Sequence, residues 1–180
     1  MWWACPVTDQ VTIAPAGVGD AGEILTVQRA AYLVEAQRYG DPFLPPLTET
    51  LDEVRAALAG PTVVLAARLG ARLVGSVRAT VEGDTAHVGR LSVAPDQQGR
   101  GVGGRLLAAI EAACAGRVSR FALFTGAEST DNLRLYARRG YRLVAHRPDP
   151  NGIRLAVLEK TPTAPVLPDA GAVSPARSGA

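Results

Sequence analysis

The chain has 180 residues, 47% of them apolar, with 19 basic against 17 acidic side chains and a formal net charge of +2. That is enough chain for one domain with a buried core. The balanced charge, with no basic tract and no basic face interleaved with aromatics, excludes a nucleic-acid platform, and no stretch approaches a membrane span. Cys5 and Cys114 stand far apart and without metal-ligand spacing, so reduced thiols in a cytoplasmic protein are expected. The opening Met1-Trp2-Trp3-Ala4-Cys5-Pro6 lacks the charged and apolar regions of a signal peptide.

In chain order, residues 1–9 read as an N-terminal extension and residues 10–14 as a first strand. Asp20-x-x-Glu23 predicts a capping box for a helix over 21–38. Gly40-Asp41-Pro42 stops that helix, and Pro45-Pro46 is expected to continue the break. Thr50-x-x-Glu53 is a second box, for a short helix ending at Gly60. Strands follow over 63–67 and 72–81, turning at Leu69-Gly70-Ala71, and Glu82-Gly83-Asp84 leads into a third over 85–93. After a glycine-rich loop come a helix to about 115, a strand over 120–125 and a helix over 129–139. Two strands, 141–146 and 153–159, close the domain around Asp149-Pro150-Asn151-Gly152. The domain is expected over 10–160. From Thr161 onward four prolines interleave with small residues, the composition of a disordered tail over 161–180. The order β-α-α-β-β-β-α-β-α-β-β predicts an α/β fold with a mixed sheet and helices on both faces. Three successive hairpin strands before the loop argue against a doubly wound domain.

The segment from Gly89 to Ala113 carries the chemistry. A strand ending at Val93 turns through Ala94-Pro95-Asp96, and four glycines (Gly99, Gly101, Gly103, Gly104) fall within six positions just before an Ala- and Leu-rich helix. Glycines at that density let main-chain N–H groups converge on one concavity at a helix N-terminus, which binds phosphate. Gly99-x-Gly101-x-x-Gly104 matches the dinucleotide fingerprint, which would make a nicotinamide-dependent enzyme. That fingerprint expects an opening βαβ unit and an acid about 20 positions on, and residues 119–123 contain none. A Walker loop is excluded, because no Gly-Lys-Ser/Thr follows and the sole lysine is Lys160. The alternative pattern, Gln98-x-x-Gly101-x-Gly103 directly after the strand, resembles motif A of the GCN5-related N-acetyltransferase (GNAT) family. Asn132-Leu133-x-x-Tyr136-x-x-x-Gly140-Tyr141 resembles the same family's motif B. Asn132 and Tyr136 share a helix face, and Gly140 suits a left-handed cap.

The resemblance spans residues 10 to 160 and implies the acyl-CoA N-acyltransferase fold. In that fold the fourth and fifth strands splay and the acetyl-pantetheine arm enters between them. It implies acetyl-CoA as co-substrate, with Leu91 and Val93 pairing to the arm through main chain. The amides of Gln98, Gly99, Arg100, Gly101, Val102, Gly103 and Gly104 would hold the pyrophosphate, with Arg100 and Arg105 adding charge. Asn132 would bond the arm, and Tyr136 would give a proton to the departing thiolate, an ordinary phenol near pKa 10 matched to a thiol near 8.5. The histone-acetylating branch places a basic glutamate six residues before the strand's last valine, which is His87 here. Histidine suits the task, and alternation puts it on the side of Gly89 unless a bulge breaks parity. Glu35, Glu82, Glu128 and water are alternatives. Tyr32 and Glu35, one helical turn apart, are the expected acceptor contacts, with Tyr39 and Phe43 nearby. Two histidines and two scattered cysteines make no metal site. The expected partner is a small-molecule amine, with no nucleic acid or membrane and with a homodimer left open. The rival class is a non-catalytic acyl-CoA-binding module, which Tyr136 and Asn132 argue against and the missing strand glutamate leaves open.

Overall fold

The computed structural model describes residues 10–162; the expected N-terminal extension, Cys5 and the tail beyond Pro162 lie outside the described residues. The elements are β1 (Val11–Pro15), α1 (Ala21–Tyr39), α2 (Pro45–Thr48), α3 (Leu51–Ala59), β2 (Val63–Leu69), β3 (Arg72–Glu82), β4 (Thr85–Val93), α4 (Val102–Cys114), β5 (Arg120–Gly126), α5 (Thr130–Arg138), β6 (Arg142–Pro148) and β7 (Arg154–Lys160). They build one seven-stranded sheet in the order β1-β2-β3-β4-β5-β7-β6. Every neighbouring pair is antiparallel except β4 and β5.

Strand alternation divides the core between two faces. Val64, Ala66 and Leu73 pack with Ala21, Ile24 and Leu25 of α1 and Val54 of α3. Leu65, Ala67, Val74 and Val77 turn to the other face, where Val102, Leu106, Leu107, Ile110 and Cys114 make the apolar stripe of α4. Burying each such leucine or isoleucine contributes about 1.5–3 kcal/mol. The fit at this centre is close. A Cβ added to Gly75 of β3 would lie 2.8 Å from the Ser92 carbonyl oxygen and 2.9 Å from Leu106 Cδ1, so a side chain there would push β4 and α4 away. No helix among the described residues is long and apolar enough to cross a membrane.

Two local expectations are corrected. Asp20 precedes α1 but does not cap it. Its carboxylate accepts the Gly17 N–H at 2.8 Å and Arg68 of β2 at 2.6 Å, while Glu23 accepts Arg68 at 2.7 Å. A guanidinium brought in by the sheet outcompetes the local box. Pro45 and Pro46 do not prolong a break but open the single turn of α2, where a proline loses no hydrogen bond. The second box forms as read: Thr50 N–H donates to Glu53 at 2.7 Å and Glu53 N–H to Thr50 Oγ1 at 3.3 Å.

What positions the site is the junction of β4 and β5. These strands pair only at Thr85–Arg120, Ala86–Phe121 and His87–Ala122. Beyond that point β5 follows β7 to Gly126 while β4 stays on β3 to Val93, so a gap opens between them. β4 also carries a bulge: Ser76 faces Ser92 and Arg78 faces Gly89, leaving Val77 opposite both Arg90 and Leu91. Arg90 has φ +53°, the one positive value at a non-glycine among the described residues, a conformation that costs about 1–2 kcal/mol. The extra residue lies past Gly89, so His87 and Gly89 keep the same face.

Candidate active site

One edge of the gap is main chain. Ala94 N–H donates to Val74 of β3 at 2.9 Å, so alternation turns the Leu91 and Val93 main chains the other way, into the gap. The Val93 carbonyl accepts the Gln98 side-chain amide at 3.1 Å, which folds the loop back over the strand end. Gly99 and Gly101 adopt φ +73° and +81°, and Gly101 precedes the first turn of α4. These two glycines give the left-handed turns that aim successive N–H groups into one concavity.

Gly103 and Gly104 differ. They have helical backbones, and an added Cβ would make ordinary contacts, with Leu135 of α5 at 3.5 Å and Val93 at 3.7 Å for Gly103 and with Leu135 at 3.7 Å for Gly104. The loop therefore needs fewer special backbones than four glycines suggested. Arg100 is exposed at the loop tip. Arg105 is corrected: its guanidinium donates to the Val11 carbonyl and ties α4 to β1, away from the loop.

The opposite wall is α5. Tyr136 is buried and packs edge-to-face on Tyr141, ring centroids 5.9 Å apart. Burial, then the nearby Tyr32 and Glu35, push its hydroxyl well above the ordinary phenol range. This corrects the expected value near 10: Tyr136 stays protonated and is a weaker acid than a free phenol. Asn132 lies one turn earlier and donates to Thr125 Oγ1 at 3.3 Å. Tyr32 is half-buried, and burial raises its hydroxyl too, with Arg90 pulling against Glu35. The structure therefore brings Tyr32, Glu35 and Tyr136 together from α1 and α5.

That meeting is bolted by residues the motifs did not single out. Glu35 accepts the Ser129 hydroxyl and pairs with Arg38. Tyr39 Oη accepts the Glu128 N–H at 2.9 Å and lies 3.3 Å from Ser129 Oγ. A Cβ on Gly126 would fall 2.1 Å from Tyr39 Oη, so the absence of a side chain at the end of β5 admits the tyrosine.

Below the gap on the α1 face lies a charged network. Arg78 of β3 and Glu49, only 10% and 11% exposed, pair at 2.6 Å. Gln28 of α1 donates to Glu49 at 2.6 Å, and Arg90 Nε stands 3.5 Å from it. Burial raises the Glu49 pKa, but the hydrogen bonds of Arg78 and Gln28 and the charges of Arg78 and Arg90 outweigh it and hold the carboxylate below its usual range. The signal available in the sequence was Arg78 itself, a charge inside an apolar strand that needs a partner. A cavity of about 220 Å³ opens beside this network, lined by Pro45, Thr48, Glu49, Glu53 and Arg90. A larger one, about 430 Å³, lies near the closed end of the gap, against Glu111, Arg139 and Lys160.

His87 stands apart from this group. It is half-exposed, its Nε2 3.7 Å from Glu82, where β4 still pairs with β5. Along the strand it is about 13 Å from Leu91.

The fold has many solved counterparts. It matches the ribosomal-protein-S18-alanine N-acetyltransferase from Escherichia coli at a TM-score of 0.70 and 16% identity, over 88% of this chain and 99% of that one. It matches yncA from Salmonella typhimurium, solved with its cofactor acetyl-CoA, at 0.69 and 19%, over 89% and 98%. The PaiA N-acetyltransferase from Thermoplasma acidophilum, in complex with coenzyme A, gives 0.64 and 15%, over 84% and 99%. No curated protein matches the sequence. These likenesses establish the architecture. The model of the Acetyltransferase (GNAT) family matches residues 29–141, and the chain belongs to that family.

Proposed function

We propose that this protein transfers an acetyl group from acetyl-CoA directly to the amine of a small molecule. The observation that carries the reading is the gap between β4 and β5, with the Leu91 and Val93 main chain turned into it on one edge, left-handed glycines at its mouth and a buried tyrosine on the far wall. In this reading the Gln98–Gly104 amides hold the pyrophosphate, Asn132 steadies the pantetheine arm, and the strand N–H groups polarise the thioester carbonyl. The amine nitrogen attacks the carbonyl carbon and the carbon–sulfur bond breaks. Tyr136 gives its proton to the sulfur. His87 takes the amine proton through water along the face it shares with Gly89. Cys114 is fully buried, and burial raises its thiol, which supports direct attack over an acyl-enzyme. A small acceptor accords with the closeness of the 220 Å³ cavity to the gap.

The test is thermal denaturation with acetyl-CoA, CoA and NAD in parallel. Acetyl-CoA at 100 times its dissociation constant adds about 2.7 kcal/mol, a rise of about 5–10 °C at this chain length. A rise with NAD, or with none of the three, overturns the reading. His87→Gln is expected to lower kcat/KM about 100-fold. Unchanged turnover would assign the amine proton to another group.

A further inference from the structure

Arg90 is held in a left-handed backbone at the bulge where β4 begins to border the gap. The bulge directs its side chain to the α1 face, beside Glu49, while Leu91 resumes the alternation that points main chain into the gap. The guanidinium is 29% exposed, and only its Nε approaches a carboxylate, Glu49 at 3.5 Å. Its two terminal nitrogens have no partner among the described residues.

The surrounding acids are already committed. Glu49 takes Arg78 at 2.6 Å and Gln28 at 2.6 Å. Glu53 takes the Thr50 N–H at 2.7 Å and the Thr50 hydroxyl at 2.8 Å. Glu35, across the site, takes Arg38 and Ser129. Two carboxylates, Glu49 and Glu53, face two guanidiniums, Arg78 and Arg90, so what is left over in the cavity is not charge but the terminal nitrogens of Arg90, a pair of parallel donors that fits a carboxylate.

We infer that Arg90 reads a carboxylate on the acceptor, so that the substrate is an amino acid whose carboxylate lies on the Arg90 terminal nitrogens and whose amine is turned toward the gap. The inference rests on the acetyltransferase reading and narrows it. Arg90 and Leu91 are consecutive, so one strand segment fixes the distance between the carboxylate and the reacting carbonyl. A protein N-terminus, whose first carbonyl is an amide, offers no such anion.

The experiment titrates the common L-amino acids and their carboxamides into the protein with CoA present, by calorimetry, and follows thiol release from acetyl-CoA with the same panel. At least one amino acid is expected to bind 10-fold or more tightly than its carboxamide. Arg90→Asn, which tolerates a left-handed backbone, should abolish that ratio by raising KM while CoA affinity stays within twofold. Arg90→Lys, which keeps the charge without the fork, should restore part of it. Equal affinity for acids and amides, no amino-acid binding at all, or a preference that survives in Arg90→Asn overturns the inference. The acetyltransferase reading fails separately, in an acetyl-CoA titration without acceptor that shows no binding.

Discussion

Tyr136→Phe is expected to lower kcat by about 100-fold or more while acetyl-CoA affinity stays within about twofold, because the lost group acts on the departing sulfur and not on the bound arm. The change is also expected to leave Tm within about 2 °C. The Tyr136 hydroxyl has no hydrogen-bond partner among the described residues, and the ring that packs on Tyr141 is kept. A kinetic loss without a stability loss is the signature sought. Burial, Tyr32 and Glu35 all hold the hydroxyl protonated, so its role as donor imposes no basic limb on the rate across ordinary assay pH. Steady-state kinetics, ligand titration and thermal melts on the same preparation check all three parts. Unchanged turnover would give the protonation of the thiolate to water or another side chain.

Glu49→Gln is expected to act mainly on stability. Arg78 is 10% exposed, and its Nε already lacks a partner among the described residues. Removing the charge opposite leaves a nearly buried guanidinium uncompensated, at about 3–5 kcal/mol, or about 6–20 °C in Tm for a chain of this length. The sign of the pH dependence follows from the lowered Glu49 pKa. Its contribution is fully present above the unfolded value of about 4.3 and is lost as pH falls through the lower folded one. The unaltered protein should therefore lose stability on acidification below about pH 4 more steeply than the variant, and the two melting curves should converge. A Tm change under 2 °C at neutral pH, or parallel acid profiles, would sink this account.

The parts of the molecule legible in the sequence are those decided within a few residues. The Thr50–Glu53 cap, the stop of α1 at Gly40 and the run from β4 through Gly101 into α4 each depend on near neighbours, and each forms as read. The failures share a cause. Asp20 was drawn from its helix by Arg68, and Arg105 from the loop by Val11, 94 positions away in the chain. The Glu49–Arg78 pair and the Glu35–Ser129 contact join elements that only the folded sheet brings together. The acidity of Tyr136 was misjudged because burial in the folded core, and then Tyr32 and Glu35 of α1, raise its hydroxyl. Distance along the chain hid these contacts, not any peculiarity of composition.

The fit of Tyr39 against Gly126 has a historical reading. A methyl at position 126 would stand 2.1 Å from the tyrosine oxygen, so the two sites are not free to drift separately. In any lineage that carries this pair, a smaller residue has to arrive at 39 before anything larger than glycine is tolerated at 126. The reverse order passes through an intermediate in which the new side chain at 126 collides with the Tyr39 ring. The pair thus sets the order of its own replacement, although its members lie 87 positions apart in the chain.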